Sequence, residues 1–449
     1  MLLLPTKLSS ILKAVVSIGF LFVIGCNNSK QLSGEGVVTD EHFERKTLYV
    51  DLGNAIKPVT HVASGALYGV VENIPTNIDA LVAPLNPSSY VQPALSGEGA
   101  QQPYGSAIAV SKRLWKVTKA KVAIRLADVH PGWPYQWSGW NNWETKVREV
   151  ITAKQRSGRT NYYGYEIWNE PKGTWQAQNG NFLTTVWKPT YDLLRKLDPL
   201  SKIIGPSSAY YAESQMEEFL RFCKANDCMP DIVSWHQLQG SQTIANNITN
   251  YRALENRLQI TPRLISINEY SHDNHDLEGA PGVAVPFIAK FERHGVDTAN
   301  ISWWFPALPG RLGSLITADG ARNGGWWLYK WYGEMSGEMV TTTPPNEASD
   351  GLDGFASLDM KNQRANIIVG GNFLGIADVK ISGIPTSFAD RIRVKVEHVT
   401  WSSKESPVNG TVVDSDSVYS IQTGTLTVPV KMTNPLWGYR ISLSRENSP

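Results

Sequence analysis

From residue 66 onward, short runs of apolar and β-branched residues alternate with longer stretches in which apolar positions recur every three or four residues. The short runs are 66–71, 81–86, 121–128, 163–170, 202–207, 231–236, 263–270 and 300–305. Helical spacing occupies 105–119, 142–156, 187–197, 215–224, 251–258 and 283–294. Runs without internal alternation read as strands buried on both faces, which is the pattern of a parallel sheet flanked by helices. Eight strands with helices between most of them predict a (β/α)8 TIM barrel; a doubly wound open sheet shares the alternation and is the competing arrangement. Residues 87–105, rich in Pro, Gly, Ser and Gln, read as loop.

The pattern changes near Gly337. Six short strands follow, at 365–369, 378–381, 391–398, 411–413, 426–430 and 438–443, separated by Gly, Asn, Pro and Ser with no helical period. That predicts an antiparallel β-sandwich. The expected organisation is a barrel over 46–336 and a sandwich over 337–449, with a strand near 48–52 free to join the sandwich and tie the two ends of the chain together.

The N-terminal segment belongs to neither. Lys7 and Lys13 precede an apolar run, 14–24, too short for a comfortable membrane span and suited to a secretory signal. It ends in Val23-Ile24-Gly25-Cys26, which resembles the bacterial lipobox. That resemblance implies a signal peptide over 1–26, lipid on Cys26 and an exported protein anchored to the cell envelope; cleavage near Gly25 as an ordinary signal is the alternative. Residues 27–45 then read as a flexible linker. With Cys26 set aside, Cys223 and Cys228 remain of three cysteines. In an exported protein the pair favours a short-loop disulfide, with free thiols as the alternative, and without a nearby His pair it makes a poor zinc site.

Charge adds an exclusion. With 42 basic and 41 acidic residues, nothing argues for nucleic acid, or for a membrane beyond the lipid anchor. Sixteen Trp and 17 Tyr suggest flat aromatic platforms, which suit sugar rings as well as nucleobases. Two carboxylates carry the chemistry. Tyr163-Gly164-Tyr165-Glu166-Ile167-Trp168-Asn169-Glu170-Pro171 stops a strand at Pro171, which pushes Glu170 toward an extended backbone. Arg263-Leu264-Ile265-Ser266-Ile267-Asn268-Glu269-Tyr270 delivers Glu269 to a second strand end. On the strand count, Glu170 closes the fourth strand and Glu269 the seventh, so both face one rim of the barrel. Paired carboxylates there are the minimum for glycosidic bond cleavage.

Asn-Glu-Pro after the fourth strand with a second Glu on the seventh resembles the retaining glycoside hydrolases of clan A. The trailing sandwich is similar to family 39, the β-xylosidase and α-L-iduronidase group. This resemblance implies that β-glycosidic bonds are cleaved by double displacement, with Glu170 as acid/base, Glu269 as nucleophile and Asn169 donating to the sugar 2-hydroxyl, and no cofactor. Further substrate contacts are expected from His236, Asp128, Trp304 and Tyr270 at strand ends, and from Trp133 and Trp137 in the loop after the third strand. Arg125 is expected in a structural ion pair, and a self-packed aromatic loop is the plain alternative for the tryptophans. His272-Asp273-Asn274-His275-Asp276 lacks the spacing of a zinc motif, so no metal site is expected. A surface glycan-binding lipoprotein without turnover is the alternative function. Exo and endo action, the sugar, the linkage and the oligomeric state are open at this stage.

Overall fold

Eight parallel strands close into a barrel, and a strand that precedes them in the chain pairs elsewhere. The computed structural model describes residues 43–302, 309–388, 391–421 and 424–446. The expected signal segment, Cys26, nearly all of the linker and Trp304 lie outside the described residues. The first strand, β1 (Arg45–Pro58), runs parallel to a strand more than three hundred residues later and is treated with it below.

The barrel is β2 (Gly65–Leu67), β3 (Ser89–Pro93), β4 (Lys121–Arg125), β5 (Tyr162–Glu166), β6 (Ile203–Ser208), β7 (Ile232–Gln237), β8 (Leu264–Tyr270) and β9 (Thr298–Ile301), closed by pairing of β9 with β2. Its lumen is packed by Leu67, Val91, Ala123, Tyr163, Ile204 and Ile232. The outward faces join the helices in a larger apolar layer. Helix Ala107–Val117 shows why these residues form these elements. Ser106 caps it by accepting from the Ile108 N–H at 3.3 Å, and Ala107, Val110 and Leu114 make one buried stripe.

The second barrel strand is a correction. Residues 81–86, expected as strand, instead finish a short helical turn (Ile78–Leu81) and form a 3-10 turn (Ala83–Leu85). Asn77 caps the first by accepting from the Ala80 N–H at 3.0 Å, Pro84 supplies no ladder donor, and Asn86 ends the second at φ 44°. The true strand, Ser89-Tyr90-Val91-Gln92-Pro93, lies in the stretch that reads as loop, with proline tolerated as its last residue.

The second sheet has nine strands: β1 with β10 (Glu338–Thr343), β11 (Asp353–Asp359), β12 (Arg364–Gly370), β13 (Gly375–Ser382), β14 (Arg391–Val399), β15 (Val412–Ser420), β16 (Leu426–Met432) and β17 (Gly438–Arg445). Their order is β15-β14-β17-β12-β11-β10-β1-β13-β16, antiparallel except for the β1–β13 pair. Side chains from both halves of this order, among them Leu48, Val379, Val394, Val430 and Ile441, share one core, so the sheet folds over as a sandwich. β10 and β11 have no counterpart among the expected strands. Barrel and sheet pack as one compact unit. Helix Pro281–Arg293 joins them: Arg293 pairs with Asp353 at 2.7 Å, and the Gly282 N–H donates to Leu436 O at 2.9 Å. A Cβ on Gly282 would stand 2.1 Å from Pro435 O, so this approach requires glycine.

Candidate active site

The C-terminal rim of the barrel is assembled from ladder register. Arg125 ends β4 directly opposite Glu166 at the end of β5, and His236 on β7 is paired with Glu269 on β8. Arg125 Nε donates to Glu166 Oε1 at 2.6 Å, and its Nη1 donates to Glu269 Oε1 at 2.7 Å. All three side chains are buried, where charges persist only when paired. Beside them, Tyr68 at φ 48° donates its hydroxyl to Asp128 at 2.7 Å, and Tyr135 donates to the other Asp128 oxygen at 2.8 Å. Burial pushes the Asp128 carboxyl up to about 6, against the opposing Arg125 charge and the two hydroxyl hydrogen bonds. Burial also raises both tyrosine hydroxyls, so they remain donors.

Glu269 faces the mouth because β8 carries an extra residue. Ser234 pairs with Ser266, but His236 pairs with Glu269, so three steps on β8 match two on β7. Strict alternation from Ser266 would send Glu269 outward. The bulge brings Asn268 and Glu269 both inward: Asn268 Nδ2 donates to Ser207 Oγ at 3.2 Å while Glu269 meets Arg125. Tyr270 is thereby turned outward. Its ring packs on Phe287 and Phe291 and its hydroxyl donates to Ala63 O at 3.0 Å, so the expected substrate contact at Tyr270 is corrected to a core role.

Glu170 stands four residues beyond the end of β5 and opens the single turn Pro171–Thr174. It is not extended, as the following proline led one to expect, but left-handed, at φ 50° and ψ 56°. Its N–H donates to Ser207 O at 2.8 Å, and its carbonyl accepts from the Gly173 and Thr174 N–H groups at 2.9 Å each. A left-handed non-glycine backbone costs about 1–2 kcal/mol, the kind of strain that gathers at functional sites.

His236 Nδ1 is hydrogen-bonded to Glu170 Oε1 at 2.9 Å, and its Nε2 lies 3.6 Å from Glu269 Oε1. One imidazole therefore stands between the two carboxylates. Burial alone would lower His236, but the Glu269 charge and the hydrogen bond and charge of Glu170 outweigh it and raise the imidazole above 6.5. Burial alone would raise Glu170; the His236 hydrogen bond, the His236 charge and Arg125 together hold it below its ordinary value. Both shifts favour a carboxylate on Glu170 beside a protonated His236.

Glu170 and Glu269 open on one cavity of about 270 Å³, walled by Leu67, Tyr68, Gln101, Arg125, Trp133 and Asn169. Asn169 Oδ1 and Gln101 Oε1 are buried there without a partner among the described residues. Trp133, 47% exposed, forms the outer lip. The arrangement presents one carboxylate fixed by a guanidinium, a second tied to a titratable imidazole, and amide groups free to meet hydroxyls.

Other expectations are corrected. Asp128 is fully buried, with each oxygen taken by a tyrosine, so it supports Tyr68 and does not face the cavity. Trp137 packs against His130, Trp143, Trp168 and Trp175 with ring centroids 5.2–6.0 Å apart, which is the self-packed loop. Cys223 and Cys228 are buried free thiols and not a disulfide; Cys223 lies in the last turn of helix Glu213–Ala225, and the Cys228 N–H donates to its carbonyl at 3.0 Å. In the polar run after β8, His275 meets Glu278 at 3.0 Å, and His272 meets Asp273 at 2.6 Å. Glu166, Tyr68, Tyr135 and Gln101 escaped the sequence reading. For Glu166 a signal exists: an acid inside a buried strand needs a cation in register, and Arg125 occupies the neighbouring strand.

Comparison with known proteins adds ancestry. No family model matches the chain. The structure of N2152 from Neocallimastix frontalis is 46% identical, with 90% of this chain and 100% of that chain covered and a TM-score of 0.88. The chain belongs to the same family as N2152. Among curated proteins, a 3-O-alpha-D-galactosyl-alpha-L-arabinofuranosidase of Bifidobacterium longum subsp. longum is 26% identical over 90% of this chain. A 3-O-beta-L-arabinopyranosyl-alpha-L-arabinofuranosidase of Bifidobacterium pseudocatenulatum is 24% identical over 91%. The chain spans 41% and 48% of the lengths of these two relatives. The GH39 enzyme from Xanthomonas axonopodis pv. citri is 14% identical, with a TM-score of 0.64 over 92% of this chain and 100% of that chain, and shares the barrel-plus-sandwich fold.

Proposed function

We propose that the chain is a retaining glycoside hydrolase that cleaves a 1,2-trans glycosidic bond of an oligo- or polysaccharide outside the cytoplasm. The observation that carries this reading is the pair Glu170 and Glu269, which open on one cavity with a single imidazole between them. Glu269, anchored by Arg125, attacks the anomeric carbon. Glu170 protonates the leaving oxygen, then removes a proton from the water that resolves the glycosyl ester. The proton for the first step is drawn from the His236–Glu170 pair: passing it along the 2.9 Å Nδ1–Oε1 hydrogen bond from imidazolium to carboxylate gives neutral imidazole and a carboxylic acid. Asn169 and Gln101, with unpartnered amide oxygens, meet sugar hydroxyls.

The two curated relatives are named for α-L-arabinofuranosidic bonds. That bond and a β-xylosidic bond are both 1,2-trans, so one pair of carboxylates can serve either. The α-L-arabinofuranosyl glycone is the first candidate and the β-xylosyl glycone the second. The lipobox-like stretch ending at Cys26 supports export and a lipid anchor.

The test is turnover of aryl α-L-arabinofuranoside, aryl β-D-xyloside and branched arabinose-bearing glycans, with the first-formed anomer read by proton NMR. A product of retained configuration is expected. An inverted first product overturns double displacement, and glycan binding without turnover overturns the enzyme in favour of a binding protein.

A further inference from the structure

Glu170 lines two cavities. One is the cavity that also holds Glu269. The other, about 210 Å³, has Glu170 in its wall but not Glu269, and is otherwise lined by Lys172, Ser208, Tyr210 and Gln215 among others. A third, about 260 Å³, shares Lys172, Ser208 and Gln215 with the second and continues it along the rim; its deeper walls are Trp175, Phe182, Leu183 and Phe219. These residues come from the segment after β5, the end of β6 and helix Glu213–Ala225.

A proton donor for glycoside cleavage stands between the sugar that is transferred and the group that leaves. The cavity shared with the nucleophile takes the transferred sugar. The cavity that has the donor but not the nucleophile in its wall takes the leaving group. From this, and resting on Glu170 as that donor, we infer that the trough from Tyr210 to Phe219 binds a carbohydrate leaving group at least two sugars long.

The chemistry of the walls favours a sugar chain. Next to Glu170, Tyr210 is 48% exposed and offers a ring face beside the polar groups of Lys172, Ser208 and Gln215, a combination that matches a sugar's apolar face and its hydroxyl edge. The farther compartment is aromatic at its base, with Lys172 and Glu218 at its rim joined by an ion pair at 3.1 Å. That pair is exposed on both sides, so it contributes little to stability and opens readily for a ligand. The protein thus reads the chain that carries its target sugar as well as the target itself.

The experiment compares substrates with one glycone and one, two or three leaving-group sugars, using the full chain. For the wild type, kcat/KM is expected to rise about tenfold between one and two leaving-group sugars, the scale of one good apolar contact. Gln215→Trp, which fills the junction of the two compartments, is expected to cut the ratio of the two-sugar to the one-sugar rate about tenfold. A flat wild-type profile with measurable turnover overturns the trough while leaving the enzyme reading intact. So does a larger gain from an alkyl or aryl leaving group than from a second sugar. No turnover of any glycoside, activated aryl glycosides included, overturns both readings. The wild-type series decides the matter even where the variant fails to fold.

Discussion

The barrel mouth and the interior of the nine-stranded sheet are built on opposite principles. At the mouth, Arg125, Asp128, Glu166, His236 and Glu269 are all buried within one rim. Around them Arg125 Nη2, Glu166 Oε2, Asn169 Oδ1, His236 Nε2 and Asn268 Oδ1 have no hydrogen-bond partner among the described residues. The sheet core is aliphatic and aromatic, and its strands contribute a single such atom among the described residues, Asp353 Oδ2, which still lies 3.4 Å from Lys290 Nζ. Buried polar atoms are normally satisfied, and each exception needs a reason. Of the mouth residues with such atoms, Arg125 and Asn169 line the cavity that Glu170 and Glu269 share. The sheet interior is packed from apolar side chains.

Substitutions sharpen this contrast. Arg125→Met removes the cation that faces Glu166 and Glu269, leaving carboxylates buried without their partner. Urea unfolding should show a loss of about 3–5 kcal/mol, and kcat/KM should fall about 10³-fold, the scale of losing a fixed electrostatic contact. A stable, active Arg125→Met protein would remove the guanidinium from the account. His236→Asn should lower kcat/KM about 10²-fold and move the alkaline limb of its pH profile. The sign follows from the pair. Activity requires one shared proton, and in the wild type that proton is lost only as pH rises through the raised imidazole value, above 6.5. With His236 gone the proton sits on Glu170 alone, and the limb shifts to lower pH. An unmoved limb would separate His236 from the acid.

Asn169→Ala should cost about tenfold in kcat/KM, the worth of one hydrogen bond to the substrate, with little change in stability because its Oδ1 bonds nothing in the free protein. At the small end, Ile441→Ala in the sheet should destabilise by about 2–5 kcal/mol through the cavity it leaves. Its kcat per folded molecule should equal that of the wild type. A changed kcat there would mean that the sheet tunes the site, against the division drawn above.

Much of the barrel is legible because parallel strands buried on both faces stand out as unbroken apolar runs. The strand of residues 203–208, the strand of residues 232–237 and the strand bearing Glu269 lie where those runs fall. The second strand is hidden because Ser89, Gln92 and Pro93 give a buried strand the composition of a loop, while the more apolar 81–86 carries Pro84 into a turn. At the site, Glu170 and Glu269 are visible as acids closing apolar runs. Their neighbours are less so, for distinct physical reasons. The bulge in β8 that turns Glu269 inward and Tyr270 outward depends on ladder pairing, which no single strand displays. Asp128 looks like a rim ligand until Tyr68 and Tyr135 are seen to take both its oxygens. Trp137 looks like a platform until its ring is found among four others.

The most direct test of the central claim is azide rescue of Glu269→Ala and Glu170→Ala on an activated 1,2-trans aryl glycoside. Without its nucleophile, Glu269→Ala should be restored by azide with a glycosyl azide of inverted configuration. Glu170→Ala still forms the glycosyl-enzyme, so azide should yield a glycosyl azide of retained configuration. The two opposite products together would establish both roles. Full activity in either variant without azide, or the same anomer from both, would contradict the account.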